Sequence, residues 1–388
     1  MLRVLGKGKT AKAIKAIENT LKEKVCLYDE NDFNKNYDKN SNDFTIVSPG
    51  IPPSNFMVKA SKSIISDCDY FCKNAPLNVW VSGTNGKTTT VQMCEKLFSS
   101  HGVEVGGNIG TPLASMDKNA KLWVLELSSF TLHYTKSASP NIYILLPISE
   151  DHISWHGSFE AYQKAKLSPL EKMGEGDSVI LPSKYLAYPT SAKKIPYENS
   201  DSLCEYFEID KKRVHFCEPF LFDALLVLGL EKILFNTLSY DKINSFKLAP
   251  HRMEKLKDKQ GRTWINDSKA TNVSATLEAL KPLKNEKLYL ILGGDDKGAD
   301  LNPLFELLKN YHVEIFAIGT NTKKLYSMAK ILDIKCEACF ELKNALEKIN
   351  TKLDIHSLAI LSPAASSLDQ FSFFGKRGDD FKAFVKNL

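Results

Sequence analysis

Val79-Trp80-Val81-Ser82-Gly83-Thr84-Asn85-Gly86-Lys87-Thr88-Thr89-Thr90 places an apolar run, a glycine turn and a helix start in immediate succession. A strand that feeds a glycine loop and then a helix gathers backbone N–H groups and a helix N-terminus around one point, which suits an anion. Lys87 is spaced to reach the terminal phosphates of a nucleotide, and the Thr88 hydroxyl to join a Mg²⁺ shell. The first glycine lies closer to the second than in the common GxxxxGK[ST] pattern. A GxxGK[ST] string arises by chance in on the order of one chain in a hundred of this length, and the strand-before, helix-after setting lowers that further. The bland alternative is an ordinary glycine turn. If the stretch is a phosphate cradle, it fixes the fold as a parallel α/β sheet with its ligand at the strands' C-terminal ends.

The alternation of strand and helix continues in both directions. Downstream, a helix is expected over residues 87–101, strands over 122–127 and 141–146, and a polar helix over 158–172. Upstream, residues 2–5 read as a strand entering a turn with Gly6 and Gly8, followed by a helix over 11–22 and a second strand over 24–28. Residues 29–43 are so rich in Asn, Asp and Lys that no core element is expected there. A third strand, 44–47, ends at Ser48-Pro49-Gly50. From about residue 251 the pattern restarts, with strands at 264–265, 288–292, 313–318 and 358–361 and a helix at 274–280. The fold expected is α/β in three domains. These are a Rossmann-like N-terminal unit over 1–74, a central P-loop ATPase-type parallel sheet over 75–249 and a Rossmann-like C-terminal domain over 250–388.

Composition narrows the class. A chain of 388 residues exceeds one ordinary core, and 43% hydrophobic with 25% charged residues is the balance of a folded chain. The formal charge of +5 is modest, and Lys and Arg are spread along the chain, so no nucleic-acid partner is expected. No apolar run approaches the roughly 20 residues that cross a bilayer, and the opening MLRVLGKGKTAKAI lacks a secretion signal. The expected location is the cytoplasm, without a membrane partner. Eight cysteines in no regular framework favour reduced thiols. Cys336 and Cys339 form a CxxC with no second pair or nearby His, so neither zinc nor redox use is expected of them.

Further strings carry chemistry only in combination. Trp123-Val124-Leu125-Glu126 delivers a carboxylate at a strand end, where a Mg²⁺ bridging ATP phosphates wants a hard oxygen, although such a glutamate is as readily a solvated cap. His152 ends Ile148-Ser149-Glu150-Asp151-His152, and Lys166 lies on the following helix; alone, each reads as an ordinary surface residue. His251-Arg252, Asn266-Asp267-Ser268-Lys269-Ala270-Thr271-Asn272 and Gly293-Gly294-Asp295-Asp296-Lys297-Gly298 fall in loops at strand mouths. Arg252 suits a phosphate fork and Lys297 a point charge for a carboxylate, against the alternative of charged turns.

Taken in order, GTNGKTTT, GNIGTP, LELSSF, SEDH, AKL, HR, NDSKATN, LGGDDKGAD and SPAASSLDQF resemble the Mur ligase family along nearly the whole chain, and the last two strings resemble its D-glutamate-adding branch. The resemblance implies an ATP-dependent ligase that joins D-glutamate to UDP-N-acetylmuramoyl-L-alanine through an acyl phosphate, acting as a monomer on small-molecule substrates. It implies that Gly83, Thr84, Asn85, Gly86, Lys87, Thr88 and Thr89 hold the ATP phosphates, with Arg252, Asp267 and Lys269 also on the ATP side. Two Mg²⁺ sites follow from it: one at Thr88 and Glu126, the other at His152 and Lys166, the lysine as a carbamate formed with CO₂. Lys9, Thr10, Ser48, Pro49, Gly50 and Asn108 match the UDP-substrate side, and Thr271, Lys297, Ser367 and Phe374, the last by its backbone, the D-glutamate side. Asp29-Glu30-Asn31 and Glu218-Pro219-Phe220-Leu221-Phe222-Asp223-Ala224-Leu225 depart from the family pattern, so different uridine and adenine contacts are expected, and Thr131 stands where the family has a Gln, which removes one expected substrate contact. The related folate-polyglutamate ligases share the ATP domain but lack the unit before residue 74.

Overall fold

In the computed structural model, which describes all 388 residues, the chain forms three sheets of four, six and six strands. The first runs Val25–Tyr28, Leu2–Leu5, Thr45–Val47, Ile64–Ile65, with every pairing parallel. The second runs Lys193–Tyr197, Ser178–Pro182, Ile142–Leu145, Leu77–Ser82, Leu122–Glu126, Val103–Gly107, again parallel throughout. The third runs Glu254–Lys257, Thr263–Asn266, Ser357–Leu361, Lys287–Gly293, His312–Ile318, Lys335–Phe340, and only its first pair is antiparallel. Parallel strands are covered on both faces and so read as unbroken apolar runs. Alternate residues serve opposite faces: Leu288, Leu290 and Leu292 enter one core, Tyr289 and Ile291 the other.

Two compact units result: residues 1–216 with 220–246, which hold the first two sheets, and residues 217–219 with 247–388, which hold the third. In the second sheet the neighbours Ile142–Leu145, Leu77–Ser82 and Leu122–Glu126 all end on one side. The glycine loop, Glu126 and the Ser149–His152 segment therefore leave the sheet together. No helix is long and apolar enough to cross a membrane.

The polar stretch 29–43 departs from expectation, because it holds a helix, Glu30–Asn36. Asp29 caps it by accepting a hydrogen bond from the Asp32 N–H at 2.9 Å. Phe33 and Tyr37, four residues apart, stack at 4.1 Å and bury that face against the first sheet. Two well-placed aromatics outweigh a polar average. The helix expected over 87–101 closes earlier, as Lys87–Leu97 with a short turn at Ser99–His101, where Gly102 takes φ 70°. Unforeseen is Phe220–Phe235, which packs on Lys87–Leu97; it is apolar all round, so it carries no helical stripe to read.

Candidate active site

The loop after Leu77–Ser82 turns at Gly83 (φ 144°) and Gly86 (φ 85°). A β-carbon on Gly83 would lie 2.4 Å from the Leu146 β-carbon, and one on Gly86 would lie 2.5 Å from Asp223 Oδ1, so both positions demand glycine. Gly86 opens Lys87–Leu97 with no side chain of its own at the cap, and a helix N-terminus of this kind favours an anion. Lys87 folds back on the loop, its ammonium donating to the carbonyls of Gly83 at 2.9 Å and Thr84 at 2.7 Å.

Glu126, 2% exposed, divides its carboxylate between two neighbours. Oε2 accepts from Thr88 Oγ1 at 2.8 Å and Oε1 from Asn108 Nδ2 at 2.7 Å. The Asn108 N–H also donates to the Glu126 carbonyl at 2.8 Å, which fixes the loop after Val103–Gly107 to the strand end. A hydroxyl and a carboxylate oxygen side by side are the hard donors Mg²⁺ takes, so Thr88 and Glu126 fit such an ion.

Lys166 is 1% exposed, and its ammonium donates to the Gly83 carbonyl at 2.6 Å while lying 4.8 Å over the Tyr162 ring. The Gly83 carbonyl thus serves two lysines. Burial first, then the charge of Lys87, pushes the Lys166 pKa well below that of an ordinary lysine. A buried amine biased toward its neutral form is nucleophilic toward CO₂, and its carbamate would replace a nitrogen donor by oxygens acceptable to Mg²⁺. His152 takes a left-handed backbone (φ 55°), with its ring 4.8 Å from Phe130 and 6.2 Å from Tyr162. Tyr162 therefore borders both members of the second candidate metal pair. Its hydroxyl shares a hydrogen bond of 3.0 Å with Thr84 Oγ1, which also accepts from the Ser149 N–H at 3.0 Å. The sequence reading missed Tyr162, although its place four residues before Lys166, on the same helical face, was the available signal.

In the first sheet, Lys9 and Thr10 open the helix Lys9–Ala16 and Ser48-Pro49-Gly50 follows Thr45–Val47. They leave the same end of two paired strands. The Ser48 hydroxyl is buried without a hydrogen-bond partner, beside Gly6, where a β-carbon would lie 2.7 Å away.

The second unit gathers its own set. Strands Thr263–Asn266, Ser357–Leu361 and Lys287–Gly293 are neighbours, and their ends deliver Asp267 to Thr271, Ser362 to Ser367, and the Lys297 loop. The antiparallel edge strand brings Arg252 and Met253 to the same side, where the Met253 N–H donates to Asp267 Oδ1 at 3.2 Å. Asp267, 6% exposed, also accepts from Ser362 Oγ at 2.8 Å, and burial raises its pKa to about 7. Asp295 and Ser366 exchange backbone hydrogen bonds at 3.0 and 2.9 Å, which joins the Lys297 loop to the Ser367 loop. Lys297 itself is exposed, with φ 51°. Lys269 lies 4.8 Å over the Phe374 ring. Arg377, 1% exposed, was not foreseen; it donates to Ser268 Oγ and to the carbonyls of Ser268 and Ala365 at 3.0, 2.9 and 3.2 Å. Ser268 Oγ in turn donates to the Phe374 carbonyl at 2.8 Å, so one guanidinium braces three site segments from behind.

The family described as Mur ligase middle domain matches residues 81–213, and that described as Mur ligase, glutamate ligase domain matches residues 251–364. The UDP-N-acetylmuramoylalanine--D-glutamate ligase of Campylobacter jejuni is 49% identical over 362 residues, 93% of this chain and 89% of that protein. The enzyme of the same name from Helicobacter pylori is 42% identical over 371 residues, 90% of this chain and 88% of that protein. Among solved structures, MurF ligase from Thermotoga maritima in complex with ADP superposes with a TM-score of 0.63 at 16% identity, covering 99% of this chain and 94% of that one. E. coli FolC in complex with DHPP and ADP gives 0.55 at 13% identity, covering 83% and 93%.

Proposed function

The chain belongs to the Mur ligase family, and from that membership we infer that it is the ligase that adds D-glutamate to UDP-N-acetylmuramoyl-L-alanine in peptidoglycan synthesis. The observation that carries the chemistry is the meeting of Lys87, Lys166, Thr88 and Glu126 around one glycine loop. The functional division runs 1–74 for the UDP substrate, 75–249 for ATP and 250–388 for D-glutamate. The enzyme acts as a monomer in the cytoplasm.

Residues 83–89 cradle the ATP phosphates, and Lys87 exchanges the carbonyls of Gly83 and Thr84 for phosphate oxygens. Thr88 with Glu126 would hold one Mg²⁺, and His152 with carbamylated Lys166 a second; bound there, the ions offset charge on the transferring phosphoryl group. Asn108 places the muramoyl side against Glu126, while Lys9, Thr10, Ser48, Pro49 and Gly50 hold the UDP moiety. An oxygen of the L-alanyl carboxylate attacks the γ-phosphorus as the bond to ADP breaks, giving an acyl phosphate. A carboxylate is a poor electrophile, and this step makes its carbonyl carbon attackable. The D-glutamate amine then bonds to that carbon, loses a proton, and expels phosphate with the former carboxylate oxygen. Thr271, Lys297, Ser367 and the Phe374 backbone seat D-glutamate, with Lys297 meeting a carboxylate as a point charge. Arg252, Asp267 and Lys269 complete the ATP side.

The test is phosphate release measured with each substrate withheld in turn. Release that needs ATP, UDP-N-acetylmuramoyl-L-alanine and D-glutamate together is the expected result. Incorporation of L-glutamate into a folate, with none of D-glutamate into the nucleotide, would overturn the assignment.

A further inference from the structure

Residues 134–138 close the helix Ser129–Tyr134 and run on from it, and they touch the N-terminal region, residues 1–74, at two places. At the first, Tyr134 enters a buried cluster made otherwise of Leu5, Tyr28, Phe33, Val47 and other residues of the N-terminal region, and its hydroxyl donates to the Ile51 carbonyl at 2.7 Å. Ile51 closes the turn that carries Ser48, since its N–H donates to the Ser48 carbonyl at 3.0 Å. At the second place the Asp69 carboxylate accepts the N–H groups of Lys136, Ser137 and Ala138 at 2.9, 2.7 and 2.9 Å, and Thr135 Oγ1 donates to Ser66 Oγ at 2.9 Å. Burial works to raise the Asp69 pKa, but these backbone bonds outweigh it and hold the carboxyl below its usual range.

The helix that ends at Tyr134 begins close behind Glu126, which lies two residues before its cap Ser128. One short stretch therefore carries the metal-site carboxylate and grips the turn bearing Ser48. A buried phenol ordinarily finds some partner. What singles out Tyr134 is which carbonyl it takes: the closing residue of a turn whose own serine hydroxyl is buried and unpaired. We infer that Tyr134 is a positioning residue for the nucleotide-sugar substrate, its hydroxyl setting the Ser48–Ile51 turn at a fixed place relative to Glu126. This rests on the reading of Ser48, Pro49 and Gly50 as UDP-substrate contacts.

Tyr134→Phe removes the hydroxyl and keeps the ring in its cluster. The expected result is a rise in KM for UDP-N-acetylmuramoyl-L-alanine of about threefold to tenfold, the range for one lost hydrogen bond. The kcat and the KM values for ATP and D-glutamate should stay within about twofold, since the bond orients one substrate only. Ser48→Ala, which trims the turn itself, separates the two readings. A raised KM in Ser48→Ala with none in Tyr134→Phe overturns the positioning role and leaves the turn's assignment standing. An unchanged KM in Ser48→Ala removes that assignment and the inference with it. A lower melting temperature in Tyr134→Phe without a selective change in KM also overturns it, because the hydroxyl would then act on the fold alone.

Discussion

The glycine loops after Leu77–Ser82 and after Lys287–Gly293 both leave the C-terminal end of a parallel strand, yet they hold their lysines in opposite ways. At the first, Lys87 and Lys166 converge on the Gly83 carbonyl and Lys166 is almost wholly buried. At the second, Lys297 is exposed on a left-handed residue, and order comes from behind, through the Asp295–Ser366 backbone pair and the Arg377 guanidinium. Charges packed together in a low-dielectric setting interact strongly and are costly to hold. A charge presented to solvent on a braced backbone costs little until a ligand covers it. The first loop thus suits the phosphoryl chemistry proposed for it, and the second suits the proposed seating of a charged substrate.

The contrast breaks most readily at the first loop. Lys87→Ala should lower kcat by at least about 10³-fold, the scale of cationic stabilisation in phosphoryl transfer, with far-ultraviolet circular dichroism unchanged. A near-normal rate would remove the loop from the mechanism. Lys166→Ala should also be inactive, and short carboxylic acids standing in for the carbamate should restore part of the rate. Lys166→Met sharpens the comparison. The pKa of Lys166 is depressed in the folded state, so its stability penalty is greatest at low pH and fades as pH rises toward the ordinary lysine value of 10.5. In CO₂-free buffer the Met variant should therefore melt higher than the parent, by a margin larger at acid than at alkaline pH; a margin independent of pH would contradict the buried-ammonium account.

At the second loop the effects should be smaller and confined to one substrate. Lys297→Ala should raise KM for D-glutamate by about 10- to 100-fold, the range for a lost charge-assisted bond, while the melting temperature holds. Least of all, Asp267→Asn should flatten the pH dependence of unfolding. Burial raises the folded-state pKa of Asp267 to about 7 from the ordinary carboxylate value of 3.8. Its neutral form thus favours folding fully below the lower value, and that contribution is lost as pH rises through the interval to the higher. Unfolding midpoints of the Asn variant should fall less between those limits; parallel curves for the two proteins would count against it.

Much of this was legible in the chain. Strand–loop–helix order around Gly83 gave the central sheet, because a buried parallel strand and a glycine turn leave strong local signals. The short helix Glu30–Asn36 was hidden by its polar average, and Phe220–Phe235 by having no polar face to set a period. In the sites, the candidate ligand-contacting groups could be named from motifs, whereas the groups that brace them could not. Arg377 acts on Ser268 from 109 positions away, and Tyr134 on Ile51 from 83. Such pairings exist only once the chain has folded, and no local spacing announces them.

The most direct test follows one atom. UDP-N-acetylmuramoyl-L-alanine labelled with heavy oxygen in the alanyl carboxylate is turned over with ATP and D-glutamate, and the released phosphate is weighed by mass spectrometry. Activation at the Lys87 loop followed by amine attack predicts one heavy oxygen in each phosphate. Phosphate carrying no label, with the amide still formed, would contradict the acyl phosphate and the role given to the loop.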